Sequence, residues 1–121
     1  MIKLNFCLHR RAGLSREAFL DYWFNKHAPL VARHRNVLRI RRYVQTHGHD
    51  PAIDSTLRES RGGPAPFDGV AQLWWDDLEA LTGAAATPEG VRASAELLED
   101  EGKFIDLARS PLFLGDEREI F

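Results

Sequence analysis

Ser15-Arg-Glu-Ala-Phe-Leu-Asp-Tyr-Trp-Phe-Asn-Lys-His27-Ala-Pro-Leu-Val31 is the stretch around which this chain is organised, because it sets a histidine among large aromatics on one side of a helix. Ser15 suits an N-cap, its hydroxyl accepting from a free first-turn amide, and Glu17 complements the positive end of the helix dipole. At about 100° per residue, Phe19, Leu20, Trp23, Phe24, His27, Leu30, Val31 and His34 gather in one arc, with Asp21, Tyr22, Asn25, Lys26 and Arg33 opposite. His27 lies inside the apolar arc. Pro29 has no amide to offer the carbonyl of Asn25 and biases Ala28 away from helical angles, so a kink or break is predicted near His27.

Before this helix, Ile2, Leu4, Phe6 and Leu8 alternate with Lys3, Asn5, Cys7 and His9, the period of a strand with one better-buried face. After it, residues 38 to 45 alternate again, with Leu38, Ile40, Arg42 and Val44 opposite Arg39, Arg41, Tyr43 and Gln45. Gly69 to Trp75 predicts a third strand, and Asp76-Asp77 start a short helix through about Ala85. Thr87-Pro88-Glu89 combines an N-cap, a first-turn proline and a first-turn acid, and Val91, Ala95 and Leu98 give the following helix an apolar stripe that ends near Gly102. Phe104, Ile105 and Leu107 are expected to plug the core, and Pro111 to Phe121 alternates as a fourth strand. Residues 47 to 67 carry Gly48, Asp50-Pro51, Gly62-Gly63-Pro64 and Pro66, and read as a long, partly mobile surface loop.

The order strand, helix, strand, strand, helix, strand predicts an α+β fold: a ferredoxin-like βαββαβ unit with a four-stranded antiparallel sheet and helices on one side. Cys7, Tyr43 and one of Trp74 and Trp75 fall on the sheet face opposite the better apolar set, a face that a second copy of the chain would cover. A homodimer packed sheet to sheet is expected, with residues 1–121 as one domain.

Composition narrows the function classes. A net charge of −2, with 28% charged and 44% hydrophobic residues, gives no whole-chain reason to expect nucleic acid or anionic membrane as a partner. Cys7 is the only cysteine, so no internal disulfide forms. The first residues lack the pattern of a signal peptide, and no apolar run approaches a membrane span of roughly 20 residues. A cytoplasmic location is expected.

The motif set Leu14-Ser15, Phe19, Tyr22-Trp23, His27-Ala28-Pro29-Leu30-Val31 and Arg42-Tyr43-Val44-Gln45 resembles the EthD domain family of the dimeric α+β barrel superfamily. The resemblance extends to Phe104-Ile105-Asp106 and Phe113-Leu114-Gly115-Asp116-Glu117. It implies a dimeric α+β barrel whose subunits each hold a pocket between helices and sheet; separately, no cofactor is expected. The family includes proteins of ether degradation and fungal polyketide-tailoring dehydratases and decarboxylases. Cofactor-free monooxygenases, muconolactone isomerases and haem-dependent enzymes occur elsewhere in the superfamily, so the fold does not choose the reaction.

His27 is the candidate acid/base: imidazole titrates near neutrality, and the match to the family's histidine strengthens the assignment. The competing reading is a buried histidine satisfied by a backbone carbonyl. Tyr43 is the candidate donor to a substrate carbonyl or enolate oxygen. Trp23, Phe24, Tyr22 and Trp74 are the candidate walls for a small hydrophobic or aromatic ligand. His47-Gly-His49-Asp50 has some metal-ligand character but the spacing is weak, and no metal is expected. Arg33, Arg35, Arg39, Arg41 and Arg42 read as a solvated basic face, or as one that steers an anionic substrate. Two functions follow: a cofactor-independent lyase, isomerase or oxygenase-type enzyme, or a ligand carrier using the same pocket.

Overall fold

The structure is a computed structural model describing residues 1–121. Strand β1 (Ile2–Leu8) leads to helix α1 (Arg16–Tyr22), which continues through a π-helical turn (Trp23–His27) into α2 (Ala28–Arg33). Strand β2 (Arg42–His47), helix α3 (Pro51–Arg61), strand β3 (Gly69–Trp75), helices α4 (Leu78–Ala86) and α5 (Pro88–Glu101), a 3-10 turn (Leu107–Arg109) and strand β4 (Leu112–Asp116) complete the chain. The four strands form one antiparallel sheet in the order β2-β3-β1-β4. Each central strand is followed by a helical crossover to an edge strand, β1 to β2 and β3 to β4, which is the ferredoxin-like arrangement.

The disturbance near His27 takes a definite form. Ser15 caps α1 by accepting from the amide of Ala18, and the helix runs regularly to Tyr22. The amide of Ala28 then reaches back five residues to the carbonyl of Trp23, so the turn widens and the helix continues. Proline's missing amide is absorbed by this wide turn, which accommodates one extra residue without ending the helix. Phe19, Trp23, His27, Leu30 and Val31 are buried, whereas Phe24 is 61% exposed.

Register fixes the two faces of the sheet. Leu4 stands opposite Leu73, Phe6 opposite Ala71, and Leu73 opposite Tyr43, so all five side chains share the helix-covered face. Tyr43 therefore faces the helices and not the open side as expected. Trp74, opposite Lys3 and Arg42, lies on the open face, and Trp75 on the covered one. The core runs between helices and sheet, with Phe19, Trp23, Phe104, Phe6 and Leu8 at one end and Val31, Leu38, Ile40, Trp75 and Ala93 at the other.

Four other expectations are corrected. Leu38 and Ile40 are buried but precede the strand: Arg39 adopts a positive φ of 56°, turning the chain so that both neighbours enter the core. Residues 51–61 are helical: Asp50 caps the helix by accepting from Ala52, Pro51 occupies its first turn, and left-handed Gly62 (φ 63°) ends it. None of its residues is buried, which is why the apolar pattern did not reveal it. On α5 the buried row is Gly90, Ala93 and Asp100, while Val91 and Leu98 are exposed. Phe104 and Ile105 are buried, but Leu107 is 39% exposed.

Candidate active site

A cavity of about 240 Å³ lies between the helices and the covered face of the sheet. Hydrophobic residues make up 14 of its 17 lining residues, the others being His27, Ser94 and Glu101. Tyr43 and Trp23 line the same space. The π turn sets Trp23 and His27 on one wall, β2 brings Tyr43, and the last turn of α5 brings Glu101.

His27 is anchored from behind. Its Nδ1 lies 2.7 Å from Oδ2 of Asp100, whose other oxygen accepts from the Tyr22 hydroxyl at 2.5 Å and lies 3.7 Å from Lys103. Burial raises the Asp100 carboxyl, but the donors on Tyr22 and His27 and the Lys103 charge outweigh it, and the group is held below its ordinary value. A carboxylate only accepts, so Nδ1 of His27 carries the proton and Nε2 the lone pair. Burial lowers the His27 pKa more than the hydrogen bond and charge of Asp100 raise it, so the imidazole is neutral at pH 7. No fully buried side-chain nitrogen or oxygen lacks a partner; Nε2, which has none in the chain, therefore keeps accessible surface on a residue that lines the cavity. A fixed tautomer with an unpaired basic nitrogen, on a side chain that lines an apolar space, is an arrangement suited to a general base.

Tyr43 is held across the cavity by Gln45, whose amide nitrogen donates both to the Tyr43 hydroxyl (2.8 Å) and to the Trp23 carbonyl (3.0 Å). The carbonyl that the π turn leaves to Ala28 thus takes a second donor from the sheet. Burial pushes the Tyr43 phenol up against the pull of hydrogen bonds from Gln45 and Trp23, so it stays protonated and keeps its own hydrogen to donate. His47 stacks on Trp23 with ring centres 4.8 Å apart and pairs with the Gln45 carbonyl oxygen at 2.8 Å. Asp50 caps α3 by accepting from the amide of Ala52.

Of the six residues singled out from sequence, His27, Tyr43 and Trp23 are brought together at the cavity, and three are not. Phe24 is turned out by the widened helix and meets the edge of His47. Tyr22 stands behind the site, bonded to Asp100, and burial together with that carboxylate pushes its phenol up to about 12. Trp74 is on the far face of the sheet, with Lys3 and Arg42 over its ring and Glu117 accepting from its indole nitrogen. Asp100 and Glu101 were missed, since a one-residue error in the α5 stripe turns both into an exposed acidic tail. The 3-4-3 spacing Gly90, Ala93, Leu97, Asp100 was the available signal.

A family profile described as the EthD domain matches residues 11–108, which include His27, Tyr43, Asp100 and Glu101. The chain belongs to the EthD domain family. Among proteins similar to this EthD chain, a dehydratase, UstZ of Ustilaginoidea virens, is 25% identical over 118 residues, covering 95% of this chain and 82% of that one. A solved EthD-family structure from Bacillus halodurans is 27% identical, with 98% and 99% of the two chains covered and a TM-score of 0.63. A dimeric protein of unknown function from Bacteroides fragilis, 13% identical, shares the ferredoxin-like fold with 96% and 95% coverage and a TM-score of 0.60. No helix of the chain is long and apolar enough to cross a membrane.

Proposed function

We propose that this EthD protein is a cofactor-independent enzyme, a lyase that eliminates water from a small hydrophobic or aromatic carbonyl compound. The observation that carries the reading is the Asp100–His27 pair, with Nε2 unpaired, on the wall of an apolar cavity. A carrier would gain nothing from fixing the tautomer of a buried imidazole at the cost of burying a carboxylate behind it. Acid–base chemistry needs that arrangement. The similarity to a dehydratase over nearly the whole chain favours elimination over the isomerase and oxygenase alternatives.

In this reading the carbonyl group sits against the Tyr43 hydroxyl, the ring packs on Trp23 and the aliphatic walls, and His27 Nε2 takes the proton next to the carbonyl. The phenol stabilises the enolate oxygen as charge develops there. The simplest probe is 3-hydroxy-1-tetralone, a β-hydroxy ketone on a fused aromatic ring, whose loss of water gives fluorescent 1-naphthol. Wild-type protein is expected to accelerate naphthol formation, and His27→Ala to fall to the uncatalysed rate. Full turnover in His27→Ala would remove the proposal. We also propose that the working unit is a homodimer, supported by the open sheet face and the dimeric fold relative.

A further inference from the structure

Elimination of water needs a second proton transfer, and the cavity holds an ionisable group to which the Asp100–His27–Tyr43 arrangement gives no task. Glu101 ends α5 directly after Asp100, and it faces the cavity with Ser94 and Leu97, at seven and four residues' separation on one side of the helix. The two neighbouring carboxyls have opposite surroundings. Asp100 is bonded to His27 and Tyr22 and neighbours Lys103, whereas the Glu101 side chain has no hydrogen-bond or ion-pair partner and meets a largely apolar wall. The titratable groups facing it are Asp100 on its own helix, Tyr43 from β2 and His27 from the π turn.

We propose that Glu101 is a second catalytic group of this site, the carboxylic acid that protonates the departing hydroxyl of a β-hydroxy carbonyl substrate after His27 has taken the α-proton. This rests on the lyase reading above. The α C–H bond breaks, its proton moves to Nε2 of His27, and its electron pair forms the enolate held by Tyr43. The enolate collapses to a conjugated carbonyl as the β C–O bond breaks, and the oxygen leaves as water with the Glu101 proton. Transfer of the extra proton from His27 to the Glu101 carboxylate restores the site, with no net change in protons or electrons.

The protonation states fit one pH window. Burial, reinforced by the charge of Asp100, pushes Glu101 up to about 7, and burial lowers His27 below its usual 6.5. Between the two, the acid carries its proton and the base does not. Wild-type kcat with 3-hydroxy-1-tetralone is therefore expected to follow a bell, with its alkaline limb near 7. If Tyr43 were the only acid, that limb would lie above 10, the ordinary value of a phenol.

The test compares wild type, Glu101→Gln, Glu101→Asp and His27→Ala by pH-rate profile. Glu101→Gln is expected to lower kcat by about 10²-fold or more, leave KM little changed and lose the limb near 7, with partial rescue in Glu101→Asp. A Glu101→Gln protein with full kcat and the limb intact overturns the inference, since His27 then both takes and returns the proton; the lyase reading survives. Turnover by His27→Ala instead removes the lyase reading. Carboxyl ¹³C NMR decides the matter without turnover, Glu101 being assigned by its loss in Glu101→Gln. Titration near 7 and a shift of the resonance on adding 1-tetralone are expected. Titration near the ordinary 4.5, or no response to saturating 1-tetralone, overturns the inference.

Discussion

His27 shows how one side chain can bear both on stability and on the proposed chemistry. It is 5% exposed and bonded to a carboxylate that is itself 9% exposed, so its removal leaves Asp100 with one fewer donor. Loss of a hydrogen bond to a buried charged acceptor costs about 1–3 kcal/mol, and a thermal or urea melt will register it. Burial gives His27 a folded pKa below the unfolded one, so its contribution to stability is complete above about 6.5 and is lost as pH falls through the lower folded value. Glu101 has the opposite sign. Its folded pKa is raised from 4.5 to about 7, so the penalty for keeping it buried is absent below 4.5 and grows as pH rises to 7. Glu101→Gln should therefore be more stable than wild type by up to about 3 kcal/mol at pH 8, with the difference vanishing at pH 4. Equal melting curves at both pH values would contradict this.

At the scale of elements, the site depends on how closely the π turn approaches β3. A Cβ on Gly69 would lie 2.5 Å from the Trp23 ring and 2.7 Å from the carbonyl oxygen of Thr46. Gly69→Ala must therefore move the indole or part the two strands, at about 1–3 kcal/mol, and weaken binding of 1-tetralone because Trp23 walls the cavity. Helix α3 supplies the contrast. Asp50→Ala removes its cap and should cost about 1 kcal/mol, seen as faster amide exchange across residues 51–61, while turnover of the tetralone probe stays unchanged. Strong coupling of that change to turnover would mean that α3 belongs to the site. The helix ends here were legible because caps are local chemistry: Ser15, Asp77 and Thr87 each accept from an amide three residues on. Asp50, Pro51 and Gly62 spelled the same code around α3, but without a buried stripe they read as loop.

For the molecule as a whole, the open sheet face is the feature that supports the proposed homodimer. It presents Cys7, Val44, Val70 and Phe113 among Lys3, Asn5, Gln72 and Arg42, with Trp74 already covered by Lys3 and Arg42 within one chain. In the proposed homodimer a second copy on this face would bury the remaining apolar side chains. Val70→Asp, on a central strand of that face, should convert a dimer to a monomer in light scattering while the covered core is untouched. A wild-type monomer would rule out the assembly.

The alternation of Ile2 to Leu8, the capped helix from Ser15 and the strand at Gly69 determined the ferredoxin-like order by themselves, because period and cap chemistry are carried by neighbours in the chain. The pairing of His27 with Asp100, 73 residues away, was not legible in that way. It depends on the exact phase of two helices, one shifted by the π turn that precedes Pro29 and the other misread by a single position, and phase is set by packing against the sheet. The same phase separates Asp100 from Glu101, setting one carboxyl behind the imidazole and the other at the cavity wall. Local sequence thus decided where the helices begin, and tertiary contact decided which of their side chains meet.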